Sequence, residues 1–206
     1  MSLALNKSSL KQQRDQLKMF RRFLPSLDLK RQQLLAALKE ARRELATVQQ
    51  EVESLHNELK DLLPLLGSST IGTQDLTSLV AIRSVEIEEQ NVLGTQLPVA
   101  REVDFDVKDY STLVTPFWVD LLVDKVEQLA ELQVHFQVRE ERVKRLDYAA
   151  RKITQRVNLF EKVLIPQARE NIRRIVIFLS DQERAAVVRS KIAKNKNAAA
   201  SMERAG

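Results

Sequence analysis

Apolar residues recur along the first third of the chain with a seven-residue period. With Leu10 at heptad position a, the a positions are Leu10, Leu17, Leu24, Arg31, Leu38, Leu45, Val52, Leu59 and Leu66. The d positions are Gln13, Phe20, Leu27, Leu34, Ala41, Val48, Leu55 and Leu62. Fifteen of these seventeen are apolar, the pattern of a helix that buries one narrow seam against another helix. The spacing predicts a helix from about Ser8 to Leu63, spanning roughly 80 Å at about 1.5 Å per residue. Pro25 falls at a b position, off the seam. It still removes a backbone donor and crowds the preceding turn, so a kink or local break is expected near Phe23–Pro25, with Ser26 and Asp28 restarting the helix. Pro64 and the run Gly67-Ser68-Ser69-Thr70-Ile71-Gly72 predict the end of the helix and a loop. Asp75 to Leu79 is expected to make a short helical turn.

The period then changes from about 3.5 to 2. Val80 and Ile82, then Val85 and Ile87, alternate with polar residues, and the slip of phase between the two pairs predicts a bulge. Asn91-Val92-Leu93-Gly94 supplies turn residues. The return run places Leu97, Val99, Val103, Phe105 and Val107 on one expected face, with Arg101 the exception. Val85, Ile87, Asn91, Gly94, Leu97 and Val99 define this hairpin as a candidate regulatory region. Two strands alone are marginal, so the hairpin must pack on the helices or on a partner.

A second heptad run follows, with Ser111 or Thr112 as the expected cap and Pro116 in the first turns. Its a positions are Thr115, Leu122, Leu129, Phe136, Val143, Ala150, Val157 and Leu164. Its d positions are Trp118, Lys125, Leu132, Arg139, Leu146, Ile153 and Phe160, and twelve of the fifteen are apolar. Around Pro166 the seam advances by one residue and continues through Ile165, Ala168, Ile172, Ile175 and Leu179, as a stutter would make it do. The expected organisation is an N-terminal coiled-coil helix over 1–64, a loop and β-hairpin insertion over 65–110, a C-terminal coiled-coil helix over 111–194, and a flexible tail over 195–206. The fold class is therefore all-α dominated: a long antiparallel two-helix coiled coil with a small β-hairpin between the helices. A homodimer built from the same helices is the alternative that periodicity leaves open.

Composition supports helices over a compact globule. The 206 residues include only 4 Gly and 5 Pro, aromatics make up 5%, and charged residues make up 30%. There is no cysteine, which excludes disulfides and thiolate metal sites. Residues 1–14 have no long apolar run before their first charges, and no stretch approaches the ~20 apolar residues that cross a bilayer. Direct membrane insertion is thus not expected. The net charge of +5 is uneven: residues 1–35 carry 8 basic and 2 acidic groups, 65–110 carry 3 and 8, and 139–206 carry 17 and 8. Folding back would bring two basic ends together and leave the hairpin acidic.

Candidate chemistry is thin. The small residues of 67–72 lack the Lys-Ser or Lys-Thr of a phosphate-binding loop. His56 and His135 flank the seams, with no second His or Cys at ligand spacing. Glu86, Glu88 and Glu89 read as the solvated face of an edge strand. Arg139, Arg142, Lys144, Arg145, Arg151, Lys152 and Arg156 form the richest basic run. An ordinary solvated face or a contact with an acidic protein ring explains it better than nucleic acid, because no aromatics are interleaved to stack bases. No catalytic, cofactor or metal residue can be assigned, and no cofactor is expected.

Three stretches together resemble the D subunit of the V-type and A-type ATPases. The first is Asn6-Lys7-Ser8-Ser9-Leu10 through Leu27, Lys30-Arg31 and Leu34. The second is Asn91-Val92-Leu93-Gly94-Thr95-Gln96-Leu97-Pro98. The third is Gln155-Arg156-Val157-Asn158-Leu159-Phe160-Glu161, then Ile165-Pro166, Ile172, Ile175, Leu179, and Asp181-Gln182-Glu183-Arg184 with Lys191. They occur in order and cover nearly the whole chain. Phe23 stands where the family usually has Gly, Pro25 where a helix former is usual, Asp28 where Lys is common and Gln32 where Asp is common. The resemblance implies a non-catalytic rotor shaft inside a hexamer of catalytic and non-catalytic subunits. It also implies a small rotor partner (the F subunit), a cup-shaped subunit above the membrane ion ring, and a cytoplasmic, peripheral location. The outer face from Arg169 to Lys191, through Arg173, Arg174, Gln182 and Arg184, is the expected contact with the head. The rival readings are a homodimeric coiled-coil scaffold and the stalk protein of a secretion-type ATPase, which the inserted strand pair disfavours; an enzyme comes third.

Overall fold

The computed structural model describes residues 3–67, 79–108 and 118–203, with side chains described for all but 62, 63, 65–67 and 197–203. The elements in chain order are helix α1 (Lys7–Gly67), strands β1 (Val80–Val92) and β2 (Thr95–Val107), helix α2 (Trp118–Leu159), a π turn (Phe160–Leu164) and helix α3 (Ile165–Glu203). The architecture is all-α dominated, with a two-stranded antiparallel hairpin between the helices. The chain divides into two compact units, residues 1–29 with 154–206, and residues 30–153.

Asn6 starts α1. Its Oδ1 accepts from the Ser9 amide at 2.7 Å, which satisfies one orphan donor of the first turn, and its carbonyl accepts the first intrahelical bond from the Leu10 amide at 3.1 Å. Of the kink or local break expected near Phe23–Pro25, no break interrupts the helix: α1 is continuously helical to Gly67, through Pro25 and Pro64. Pro25 is exposed, Leu24 and Leu27 beside it are half-buried, and the Ser26 hydroxyl donates to the Phe23 carbonyl at 2.8 Å. Seam packing on both sides outweighs the cost of one proline, about 3 kcal/mol. The expected loop over 68–72, the turn of 75–78 and the caps at Ser111 or Thr112 lie outside the described residues. At the other end α3 continues to Glu203, past the point where a flexible tail was expected.

In the unit of residues 30–153, α1 buries Leu34, Leu38, Ala41, Val48 and Leu55, and α2 buries Leu146, Ala150 and Ile153. The helices run antiparallel. Arg42 pairs with Asp147 at 3.0 Å and Lys125 with Glu58 at 2.6 Å, so rising numbers on one helix meet falling numbers on the other. The start of α2 departs from the heptad reading. Trp118, Val119 and Val123 are buried while Leu122 is only partly so, because this end of the helix packs on Leu79 and Val80 at the base of the hairpin.

The hairpin closes with the Lys108 amide on the Leu79 carbonyl at 2.9 Å. Its turn is two residues long, with Leu93 at φ +54° and Gly94 at φ +80°. Both values are positive, as a type I′ turn requires. Asn91 Oδ1 accepts from the Gly94 amide at 2.8 Å. Two bulges shift the register, one passing over Arg83 and one over Arg101. The first accounts for the slip of phase between Ile82 and Val85. The second corrects the expected single face on β2. Val103 pairs with Val85 and Ala100 with Ile87, whereas Val99 pairs with Glu88 and Leu97 with Gln90. Arg101 is the extra residue, so Val103, Phe105 and Val107 project to one side and Leu97 and Val99 to the other.

In the unit of residues 1–29 and 154–206, Phe20 meets Phe160 edge to face with ring centroids 5.4 Å apart, and the Asn171 amide donates to Gln13 at 3.1 Å. This pairing is also antiparallel. Val157, Ile165, Ala168 and Ile175 are buried in the seam. The step by which the seam advances is the π turn, in which the Ile165 amide donates to the Phe160 carbonyl, five residues back. Pro166 offers no amide to the Lys162 carbonyl, and a wider turn absorbs one extra residue there. An unbroken α-helix would instead have turned Gln167, Asn171 and Arg174 into the seam.

Candidate functional site

The candidate residues occupy two places, each within one unit. The first is the seat of the hairpin on α2. Leu97 is fully buried and Pro98 is buried, while Val85 and Val99 are half-buried. Ile87, at 52% exposed, and the turn residues Asn91 and Gly94 remain open to solvent. Arg145 on α2 ties the hairpin down. Its guanidinium donates to Glu89 at 3.3 Å, to the Gln96 carbonyl at 3.2 Å and to Glu141 at 2.9 Å. These hydrogen bonds, Glu141 first and then Glu89, raise the pKa of Arg145 above its ordinary value, so the group stays charged. Arg101, released from the ladder by its bulge, reaches Glu88 at 2.7 Å, and that hydrogen bond likewise raises its pKa. An open cleft of about 530 Å³ lies beside the turn, between Gly94–Gln96 and the α2 residues Lys144, Tyr148 and Lys152.

Part of the basic run of α2 is neutralised within its own helix. Lys144 pairs with Glu140 at 3.0 Å and Arg151 with Asp147 at 2.7 Å, and Lys152 lies 5.6 Å from the centre of the Tyr148 ring. That arrangement fits a solvated helix face.

The second place is the outer face of α3. Arg169, Arg173, Arg174, Gln182, Arg184 and Lys191 are all exposed. Helical geometry sorts them. At 3.6 residues per turn, Arg169, Arg173, Arg184 and Lys191 fall within about 60° of one another, while Arg174 and Gln182 point elsewhere. Arg174 is paired with Glu170 at 3.1 Å. The four aligned cations have no ion pair among the described residues. Val176 and Val187, 41% and 59% exposed, share their stripe. Sequence reasoning missed these two valines, although their spacing of three and four from the cations was the available signal. The Arg145–Glu89 contact joins residues 56 positions apart and left no local signal.

Among the described residues no polar or charged side chain is buried, and no three His, Asp or Glu side chains lie close enough to hold a metal ion. His135 stands near Glu131 at 3.8 Å on the rim of its helix. No described helix is long and apolar enough to cross a membrane.

Fold and sites together define paired antiparallel helices with an inserted β-hairpin, offering exposed faces for contact. The profile of the ATP synthase D-subunit family matches residues 9–195. The V-type ATP synthase D subunit of Borreliella burgdorferi is 33% identical over 193 residues, covering 94% of each chain. That of Chlamydia abortus is 32% identical over 192 residues, covering 93% of this chain and 92% of its own. That of Chlamydia pneumoniae is 31% identical over 192 residues, covering 93% and 91%. The chain belongs to the D-subunit family of the ATP synthases.

Proposed function

We propose that the chain is the non-catalytic central shaft of a V-type rotary ATPase, coupling ATP hydrolysis or synthesis in a catalytic head to ion movement across a membrane. In this reading it has no catalytic activity of its own and works in the cytoplasm, peripheral to the membrane. Its partners are the catalytic and non-catalytic subunits of the head hexamer, a small second rotor protein (the F subunit), and a cup-shaped subunit linking to the ion ring. Its working parts are an N-terminal helix over 1–64, the hairpin region 65–110, a C-terminal helix over 111–194, and the tail 195–206.

The observation that carries the reading is the stripe of Arg169, Arg173, Arg184 and Lys191 on α3, exposed and without ion pairs among the described residues. A shaft influences the sites around it only through contacts that differ with angle. A cationic stripe along one face of α3 provides such an asymmetry. Exposed cations also meet acidic partner surfaces without a large desolvation cost. The homodimer alternative loses ground because the helices already bury their seams against each other within one chain.

Charge reversal tests the stripe. Arg173→Glu with Arg184→Glu, in a head reconstituted with this chain, is expected to change ATPase turnover and torque by severalfold. Arg174→Glu, off the stripe, is expected to change them less. Unchanged turnover and torque in the double variant would remove the stripe from the reading. Failure of the chain to co-purify with an ATPase hexamer from its own cell would remove the rotor itself.

A further inference from the structure

We infer that the unit of residues 1–29 and 154–206 carries a second docking surface, for an amphipathic helix of another polypeptide with acidic margins. Four large apolar side chains make it: Met19 and Phe23 on α1, Leu159 at the end of α2, and Val163 in the π turn. They are 46%, 49%, 46% and 48% exposed. Each pair is spaced i, i+4 and so lies on one stripe of its own segment. Between the pairs stands the Phe20–Phe160 ring contact, which brings the two segments to one level. In the heptad frame Met19 and Leu159 are c positions, and Phe23 and Val163 are g positions. Antiparallel helices bring g to g, so both stripes fall on the same side of the pair. The Gln13–Asn171 bond, with Gln13 also bonded to Gln16 at a g position, lies on this side one level higher.

Chain geometry explains why the surface is open. A π turn holds more residues per turn than an α turn, so Val163 swings back over Leu159 and away from the seam. Phe23 precedes Pro25 on the solvent side of α1, where a smaller residue would leave the heptad unchanged. Four half-exposed apolar groups in one place form a patch of the kind that marks an interaction site.

Charge selects the occupant. This unit carries 17 Lys and Arg against 7 Asp and Glu, a net +10 in a chain whose total is +5. Arg22 and Arg156 border the patch, are exposed, and have no ion pair among the described residues. Asp15, one turn from Met19, is the nearest carboxylate along that stripe. A second copy of this chain would bring +10 against +10 and be repelled. Nucleic acid would satisfy the cations but leave the aliphatic groups unmatched, since stacking needs a ladder of aromatic faces. A helix with one apolar stripe edged by Asp and Glu satisfies both terms. The inference does not depend on the rotary reading, because it rests on the patch and the charge of this unit alone.

The test places the photo-crosslinking residue p-benzoyl-phenylalanine at position 23 or 163 of the full-length chain in its native cell, with position 18 on the other side of α1 as control. Crosslinked peptides are then sequenced by mass spectrometry. The expected result is one partner segment, reached from 23 and 163 but not from 18, with apolar residues at i, i+3 or i+4 and acidic residues beside them. With the probe moved to position 19, the double variant Phe23→Asp, Val163→Asp is expected to lose that crosslink at least tenfold. The helical melting of the double variant should stay unchanged, since both side chains are half-exposed. A crosslink only to a second copy of the chain, only to nucleic acid, only to a segment without an acidic apolar stripe, or to nothing would overturn the inference.

Discussion

Deleting Val163 should leave the chain about as stable as before, although a deletion inside a long helix ordinarily throws everything beyond it out of register. Val163 is half-exposed and lies within the π turn, which already contains one residue more than α geometry needs. Its removal gives seam positions 157, 160, 165, 168, 172, 175 and 179 the alternating three–four spacing of a regular heptad. Ile165, Ala168 and Ile175, only 7%, 4% and 0% exposed, therefore keep their places. Were they instead turned off the seam by about 100°, the two isoleucines alone would cost ~3–6 kcal/mol at ~1.5–3 kcal/mol each. For a chain of this length that is a melting temperature lower by about 6–24 °C, at ~2–4 °C per kcal/mol. The expected change is under about 1 kcal/mol, or within about 4 °C. The control is deletion of Arg173, which is exposed but lies in regular α-helix two residues before Ile175. It should displace the buried Ile175 and, from that residue alone, lower the melting temperature by about 3–12 °C. Thermal melts followed by circular dichroism at 222 nm read both variants. A loss for the Val163 deletion equal to that of the Arg173 deletion would refute the account of the π turn as an absorbed extra residue.

Three further outcomes follow from contacts described above. Arg145→Ala should speed amide exchange at Gln96 and Leu97 in hydrogen–deuterium measurements while leaving the overall melt nearly unchanged, because its partners are solvent-exposed. Leu93→Asn should stabilise the hairpin by about 0.5–1 kcal/mol, read as slower exchange along β1 and β2, since Leu93 holds φ +54° and Asn tolerates that region better; a faster exchange would contradict the turn assignment. Asn6→Ala should cost about 1 kcal/mol and fray the first turn of α1, visible as earlier loss of amide protection at Ser9 and Leu10.

Much of this fold was legible because its helices bury narrow seams, and a seam imposes its period on the sequence whatever lies elsewhere. Leu34, Leu38, Ala41, Val48 and Leu55 are buried where the heptad places them. The one-residue advance near Pro166 was legible for the same reason, since apolar side chains must stay inside on both sides of it. The turn at Asn91–Gly94 announced itself through Gly94, which tolerates positive φ, and Asn91, whose side chain caps the turn. Pro25 does not break the helix because its cost is local, while the packing that overrides it is spread over many residues. Leu97 and Val99 were assigned to the wrong side of β2 because one inserted residue reverses every position beyond it.

By itself, then, the sequence determined two helical seams, a hairpin between them, the point where the second seam changes phase, and the uneven charge. Each of these is a repeating or local property of neighbouring residues. The tertiary structure alone decided that the phase change is made by a π turn and that Arg101 is the residue expelled from the ladder. It alone decided that Arg145 holds Glu89 across 56 positions, and that Met19, Phe23, Leu159 and Val163 are each left about half-exposed. Those outcomes depend on which distant segments meet and at what level, and no period along the chain encodes that.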